Sequence, residues 1–140
     1  MEYTIKIGNA VPVVSKAEFP RLVAQWKVED AESKDAPCPP GDEFLSPSYA
    51  AWQDLIEQAG LRNLFYHPLN GLMANHPGCV GIEPADAASV RAALIRYRKT
   101  ATLPAGEGID HDYNLARLEW LDFWMHWAIE NCETPAIENS

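Results

Sequence analysis

Residues 118–132, LEWLDFWMHWAIENC, decide the fold that the sequence predicts. Apolar residues recur there at intervals of three and four, which places them on one seam of a helix. The seam consists of Leu118, Leu121, Met125, Ala128 and Cys132. A second stripe beside it contains Trp120, Trp124 and Trp127. The apolar arc therefore covers more than half of the helix circumference, wider than a helix lying on one surface requires.

The tryptophan stripe has two interpretations. Aromatic side chains at helical spacing are most often part of a core, which would put this helix at the centre of the fold. Otherwise the stripe contacts a second molecule, such as a dimer mate. Trp120, Trp124 and Trp127 are therefore candidate partner-binding residues. His126 falls on the opposite, polar face, and we interpret it as a solvated histidine.

Capping residues and apolar periodicity elsewhere in the chain predict further helices, so we expect an α+β fold that is predominantly helical. The three main helices are expected at about 47–60, 84–99 and 112–132. Ser46 and Pro47 suit the start of the first helix and Gly60 suits its end, while Asp112 suits the cap of the third. The pattern predicts one domain over residues 1–140, since no stretch resembles an interdomain linker.

The N-terminal part predicts a small β element. Residues 3–7 alternate as a half-buried strand does, Gly8 and Asn9 indicate a turn, and Trp26 and Val28 mark a second short strand. A capping box at Ser15 and Glu18 predicts a short helix between the strands. Further expectations follow from composition: a long acidic, proline-rich loop at 29–48, short helical turns at 61–73, a turn-rich connector at about 75–82, and a tail at 133–140.

Composition restricts the class of partner. The 140 residues carry a formal net charge of −9, with 47% hydrophobic and 22% charged residues, as in an ordinary globular protein. Such acidity disfavours binding to nucleic acids and to anionic membrane surfaces, and it favours binding to basic partners. Three cysteines at unrelated spacings suggest a reducing compartment. With no signal-peptide pattern and no apolar run of about 20 residues, we expect a cytoplasmic protein that does not enter a membrane.

Two short clusters contain metal-ligating residue types. His76 and Cys79 have a spacing that can chelate zinc, but the other ligands that zinc needs are scattered, and Pro77 and Gly78 favour a plain turn. Asp110, His111 and Asp112, with Glu107 just before them, suit acid–base chemistry or a hard cation. Acids at a helix start more often cap free backbone donors, and Asp112 fits that role.

The basic cluster lies at the end of the second main helix. It consists of Arg91, Arg96, Arg98 and Lys99. Cations at a helix C-terminus offset its dipole. Arg91 and Arg98 are seven residues apart and lie on one face of the helix. Together they are placed to bind one phosphate or another small anion.

The sequence thus leaves three functional hypotheses. The first is a small acidic, non-enzymatic interaction module that binds another protein or itself, of the kind found among bacterial or phage accessory and inhibitor proteins. The alternative is a binder of a nucleotide or phosphorylated metabolite, with tryptophan stacking and the Arg91/Arg98 patch. The third is a metal-dependent hydrolase around His111. Nucleotide-binding and nucleophile motifs are absent from the sequence, so we expect no catalytic residues and no cofactor.

Overall fold

A computed structural model describes residues 1–12, 26–28, 47–106 and 108–140 of the chain. This part contains four strands and four helices and confirms an α+β fold that is predominantly helical. In chain order the elements are β1 (Ile5–Pro12), β2 (Trp26–Val28), α1 (Tyr49–Gln58), α2 (Arg62–Tyr66), β3 (Gly78–Gly81), α3 (Pro84–Thr100), α4 (Tyr113–Asn131) and β4 (Pro135–Asn139).

The four strands form one antiparallel sheet in the order β2-β1-β4-β3. Ile137 of β4 lies opposite Ile7 of β1 on one side and Val80 of β3 on the other. The ladder continues beyond the strand ends, because the Ser140 and Thr4 amides each donate to the other's carbonyl oxygen. The first and last strands of the chain are therefore the two central strands of the sheet.

Helix α4 lies at the centre of the fold, as its wide apolar arc predicts. It packs against α3, α1, β1 and β4. The seam residues Leu118, Leu121, Met125 and Ala128 are all fully buried. Asp112 caps the helix by accepting the Leu115 amide at 2.9 Å. Among the described residues, no helix combines the length and the apolar character that a membrane crossing requires.

The other main helices also lie where the sequence predicts them. Helix α3 begins at Pro84, and Gly60 ends the α1 region with a positive φ of 71°, a conformation that glycine adopts without steric cost. The cap of α1 differs from the expectation. Ser48, rather than Ser46, accepts the Ala51 amide, so the helix begins two residues later than predicted.

The prediction of a tail at 133–140 is wrong, because this segment contains the central strand β4. The local sequence gives little indication of this strand. PAIEN offers one large apolar residue between a proline and two polar residues, so its strand character comes from two partner strands rather than from alternation. In the same way, the connector expected at about 75–82 contains β3, which pairs with β4.

The turn predicted at Gly8 and Asn9 is also wrong, since β1 runs through both residues. Gly8 pairs with Ala136 and Asn9 with Pro135, and the Asn9 side chain accepts the Thr134 amide at 2.7 Å. The second strand expected around Trp26 and Val28 is present as β2. The short helix expected from Ser15 and nearly all of the 29–48 loop fall outside the described residues.

The position of β4 predicts the effect of shortening its central side chain. Ile137→Ala should lower the free energy of unfolding by about 2–5 kcal/mol, since it leaves a cavity in the core. Denaturant titration measures this change. Leu69→Ala is the control, because Leu69 is 90% exposed and its truncation should stay within about 0.5 kcal/mol. Equal, small effects of the two substitutions would contradict the burial of Ile137 in the core.

Candidate functional site

An open groove between α3 and α4 brings together three of the five candidate binding residues that the sequence singles out. We call it the α3–α4 groove, and its volume is about 470 Å³. Its lining residues are Arg91, Leu94 and Arg98 of α3 and Glu119, Asp122, Phe123, His126, Trp127 and Glu130 of α4. Arg91, Arg98 and Trp127, three of the five candidate binding residues, therefore share one surface.

Arg91 is held by a buried carboxylate. Its Nε and Nη2 atoms donate to Oδ1 and Oδ2 of Asp122 at 3.3 and 3.1 Å, a fork that matches both carboxylate oxygens. Asp122 is only 8% exposed, whereas the Arg91 side chain is 53% exposed. The guanidinium is thus the counter-charge that a buried Asp122 requires.

Arg98 has a similar but more exposed arrangement. Its Nη2 atom donates to Oε1 of Glu119 at 3.1 Å. With Glu130 added, the groove carries three carboxylates against two guanidinium groups, so its formal charge is −1 with a neutral histidine. The two arginines face one groove, as predicted, yet they do not form a net positive patch.

His126 belongs to the same network: its side chain is partly exposed, at 27%, but it also contacts Asp122, which its interpretation as a solvated histidine did not include. Its Nδ1 atom donates to the backbone oxygen of Asp122 at 2.8 Å and lies 3.3 Å from Oδ1 of that residue. The remaining nitrogen, Nε2, is then the acceptor of the neutral ring. The signal was present in the sequence as the four-residue spacing between Asp122 and His126, which places both on one helix face.

Two tryptophans of the stripe lie in the core, and the third lines the groove. Trp120 and Trp124 are 2% and 5% exposed, so both are core residues and are not available to a partner. Trp127 is half-buried, with its ring centroid 5.2 Å from that of Trp124. The Phe123 ring also packs edge-on against that of Trp124, with the centroids 5.2 Å apart. Of the three candidates, Trp127 alone reaches the groove.

Within the acidic cluster at the start of α4, Asp112 has a structural role as the helix cap and as a partner of Tyr97. The Tyr97 hydroxyl donates to both carboxylate oxygens of Asp112, at 3.0 and 2.9 Å. Burial, and then the Asp112 contact, raise the pKa of Tyr97 to about 12. His111 is exposed, and Glu107 lies outside the described residues. Within the described ranges, no three His, Cys, Asp or Glu side chains are grouped so that they would hold a metal ion.

His76 and Cys79 are each engaged in other contacts. The Tyr49 hydroxyl lies 2.9 Å from Nε2 of His76, and Asn139 contacts Nδ1. Cys79 is a free, buried thiol in β3. Burial, and then the charge of Glu138, raise the pKa of this thiol to about 11. Since the thiolate is the form that binds metal, this environment disfavours Cys79 as a ligand.

Cysteine reactivity tests this assignment. We expect iodoacetamide to alkylate Cys79 of the native protein at about pH 8 more slowly than the half-buried Cys132, because little of the Cys79 thiol is ionised there. Peptide mapping by mass spectrometry measures each rate, and the unfolded protein in urea is the control in which both should react alike. A Cys79 rate equal to that of Cys132 in the native protein would contradict the buried thiol.

A buried arginine, which the sequence analysis did not single out, lies on the other side of α4. Arg117 is 2% exposed, and its guanidinium carbon lies 4.3 Å from the centroid of the Tyr113 ring. Its Nε and Nη1 atoms find no hydrogen-bond acceptor in the part of the chain that the structure describes. Burial lowers the pKa of this group, and the Tyr113 ring supplies a cation–π contact.

No protein-family model, curated protein sequence or solved structure matches the chain.

Proposed function

We propose that the protein is a small, non-enzymatic interaction module that binds a basic segment of another protein in the α3–α4 groove. The observation that carries this proposal is a partly exposed aromatic pair, Phe123 and Trp127, bordered by more carboxylates than cations. The formal net charge of −9 adds a long-range attraction for basic surfaces.

The groove offers complementary contacts to a lysine or arginine side chain. The face of Trp127 suits the cation or its aliphatic stem, and tryptophan is the strongest cation–π partner among the aromatic residues. Glu130 is exposed and lies three residues further along α4, so its carboxylate borders the same surface. A partner segment with several cations would repeat these contacts along the helix.

A phosphorylated ligand is less well supported. Both arginines already contact carboxylates, and a phosphate at Arg91 would compete with the buried Asp122. Drawing the guanidinium away would leave a buried carboxylate without its counter-charge, which is unfavourable. Self-association through this groove is disfavoured as well, because two copies with a net charge of −9 repel each other.

The wider form of the proposal is an accessory or inhibitor protein of bacterial or phage type that acts in the cytoplasm. Its support is the acidity of the chain, together with three cysteines at unrelated spacings that suggest a reducing compartment. A reducing compartment keeps such thiols from forming disulfides.

Binding of a synthetic lysine- and arginine-rich peptide tests the groove. Trp127→Ala should weaken the affinity by about tenfold, since an aromatic anchor contributes more than about 1 kcal/mol. Glu130→Gln should weaken it by up to about fivefold, because an exposed charge pair contributes about 0.2–1 kcal/mol. Fluorescence anisotropy of the labelled peptide measures both constants.

Glu133→Gln is the matched control. Glu133 is exposed and lies just past α4, so this substitution removes the same charge without changing the groove. It should leave the affinity close to that of the unmodified protein. If Glu133→Gln weakens binding as much as Glu130→Gln, and Trp127→Ala does not weaken it, the peptide is attracted by net charge alone and the groove is not the site.

A further inference from the structure

A second cluster, which shares no residue with the α3–α4 groove, joins three distant parts of the chain. Tyr49 is the first residue of α1, His76 precedes β3, and Asn139 is the last residue of β4. The Tyr49 hydroxyl lies 2.9 Å from Nε2 of His76, and Nδ1 of the same ring contacts Oδ1 of Asn139. The three side chains form a continuous hydrogen-bonded chain from an exposed edge to the core.

Asn139 determines the direction of this chain. It is only 1% exposed, and its Nδ2 atom donates to the backbone oxygen of Asn75 at 3.0 Å. The amide oxygen therefore faces His76 and accepts the proton carried by Nδ1. A neutral imidazole with its proton on Nδ1 has an acceptor at Nε2, so the Tyr49 hydroxyl donates to it. The network thus assigns the tautomer in which the histidine is ready to take the phenolic proton.

Tyr3 packs against both members of the exposed pair. Its ring centroid lies 4.5 Å from that of Tyr49 and 4.9 Å from that of His76. The Tyr3 ring is buried, whereas Tyr49 is half-buried and His76 is exposed. The phenol that contacts the base is therefore held in one position by aromatic packing while it remains accessible to small molecules in solution.

We propose that Tyr49 is a redox-active tyrosine that reacts with one-electron oxidants, with His76 as the proton acceptor. The phenol loses one electron to the oxidant, its O–H bond breaks, and the proton moves to Nε2 of His76. The products are a neutral phenoxyl radical, an imidazolium and the oxidant reduced by one electron. A positioned base favours this step because a phenol radical cation that keeps its proton is a high-energy product.

Tyr97 is the nearest alternative, since its hydroxyl donates to the carboxylate of Asp112. A carboxylate is intrinsically a weaker base than imidazole, with an ordinary pKa of about 3.9 against about 6.5. Transfer of the phenolic proton is therefore more favourable at Tyr49. Asp112 also accepts the Leu115 amide, so this carboxylate is already engaged as the cap of α4.

Photochemical oxidation with a ruthenium(III) polypyridyl complex tests the proposal. We expect the protein to give a tyrosyl radical signal in electron paramagnetic resonance and transient absorption, formed more slowly in deuterated water. Tyr49→Phe should remove most of the signal, and Tyr97→Phe should leave it nearly unchanged. His76→Gln retains hydrogen-bonding groups but cannot act as the base, so the radical should form about a hundredfold more slowly, the lower end of what a positioned proton acceptor contributes.

Chemical rescue by imidazole distinguishes a role of His76 as the proton acceptor from a purely structural role. Free imidazole should restore part of the rate in His76→Ala, because the ring position is exposed, and should not affect Tyr49→Phe. A radical signal that survives Tyr49→Phe, or an unchanged rate in His76→Gln, would overturn the proposal. If the histidine variants fail to fold, the solvent isotope effect on the unmodified protein decides, and its absence would also overturn the proposal.

Discussion

The pairing of β1 with β4 is the constraint on which the rest of the structure depends. It joins residues 5–9 to residues 135–139, so the sheet is completed by the two ends of the chain. Helix α4 leads directly into β4 and packs against β1 and β4. The apolar seam of α4 is buried because the sheet covers it, and the sheet in turn holds its central side chain, Ile137, against the helices. Each therefore supplies the partner that the other needs to bury its apolar face.

The packing of α3 against α4 explains why an acidic protein holds two arginines in its groove. Asp122 of α4 is buried, and the guanidinium of Arg91 from α3 donates a hydrogen bond to its carboxylate. Arg98 and Glu119 repeat the arrangement in a more exposed position. Both cations are thus paired within the protein, whereas Glu130 is exposed and Phe123 and Trp127 are partly exposed in the groove. This arrangement is the basis on which we propose a basic segment, rather than an anionic ligand, as the partner.

The helices were predictable because their information is local. The spacing from Leu118 to Ala128, the cap at Asp112 and the proline at position 84 each specify structure within a few residues. Strands β3 and β4 have no such signal, since their residues gain strand character only from neighbours far away in sequence. The same difference between local and distant contacts decides which side-chain partners could be predicted. The Asp122–His126 contact spans four residues and was detectable, whereas the contacts of His76 with Tyr49 and Asn139 span 27 and 63 residues and were not.

Amide hydrogen exchange in β4 tests the central claim most directly, namely that the last residues of the chain form a central strand. We predict that the hydrogen-bonded amides of residues 136–139 exchange as slowly as those in the middle of α4, since we expect strand and helix to open in one cooperative step. If these amides exchange at the rate of an unstructured peptide while those of α4 stay protected, the pairing of the two chain ends is contradicted.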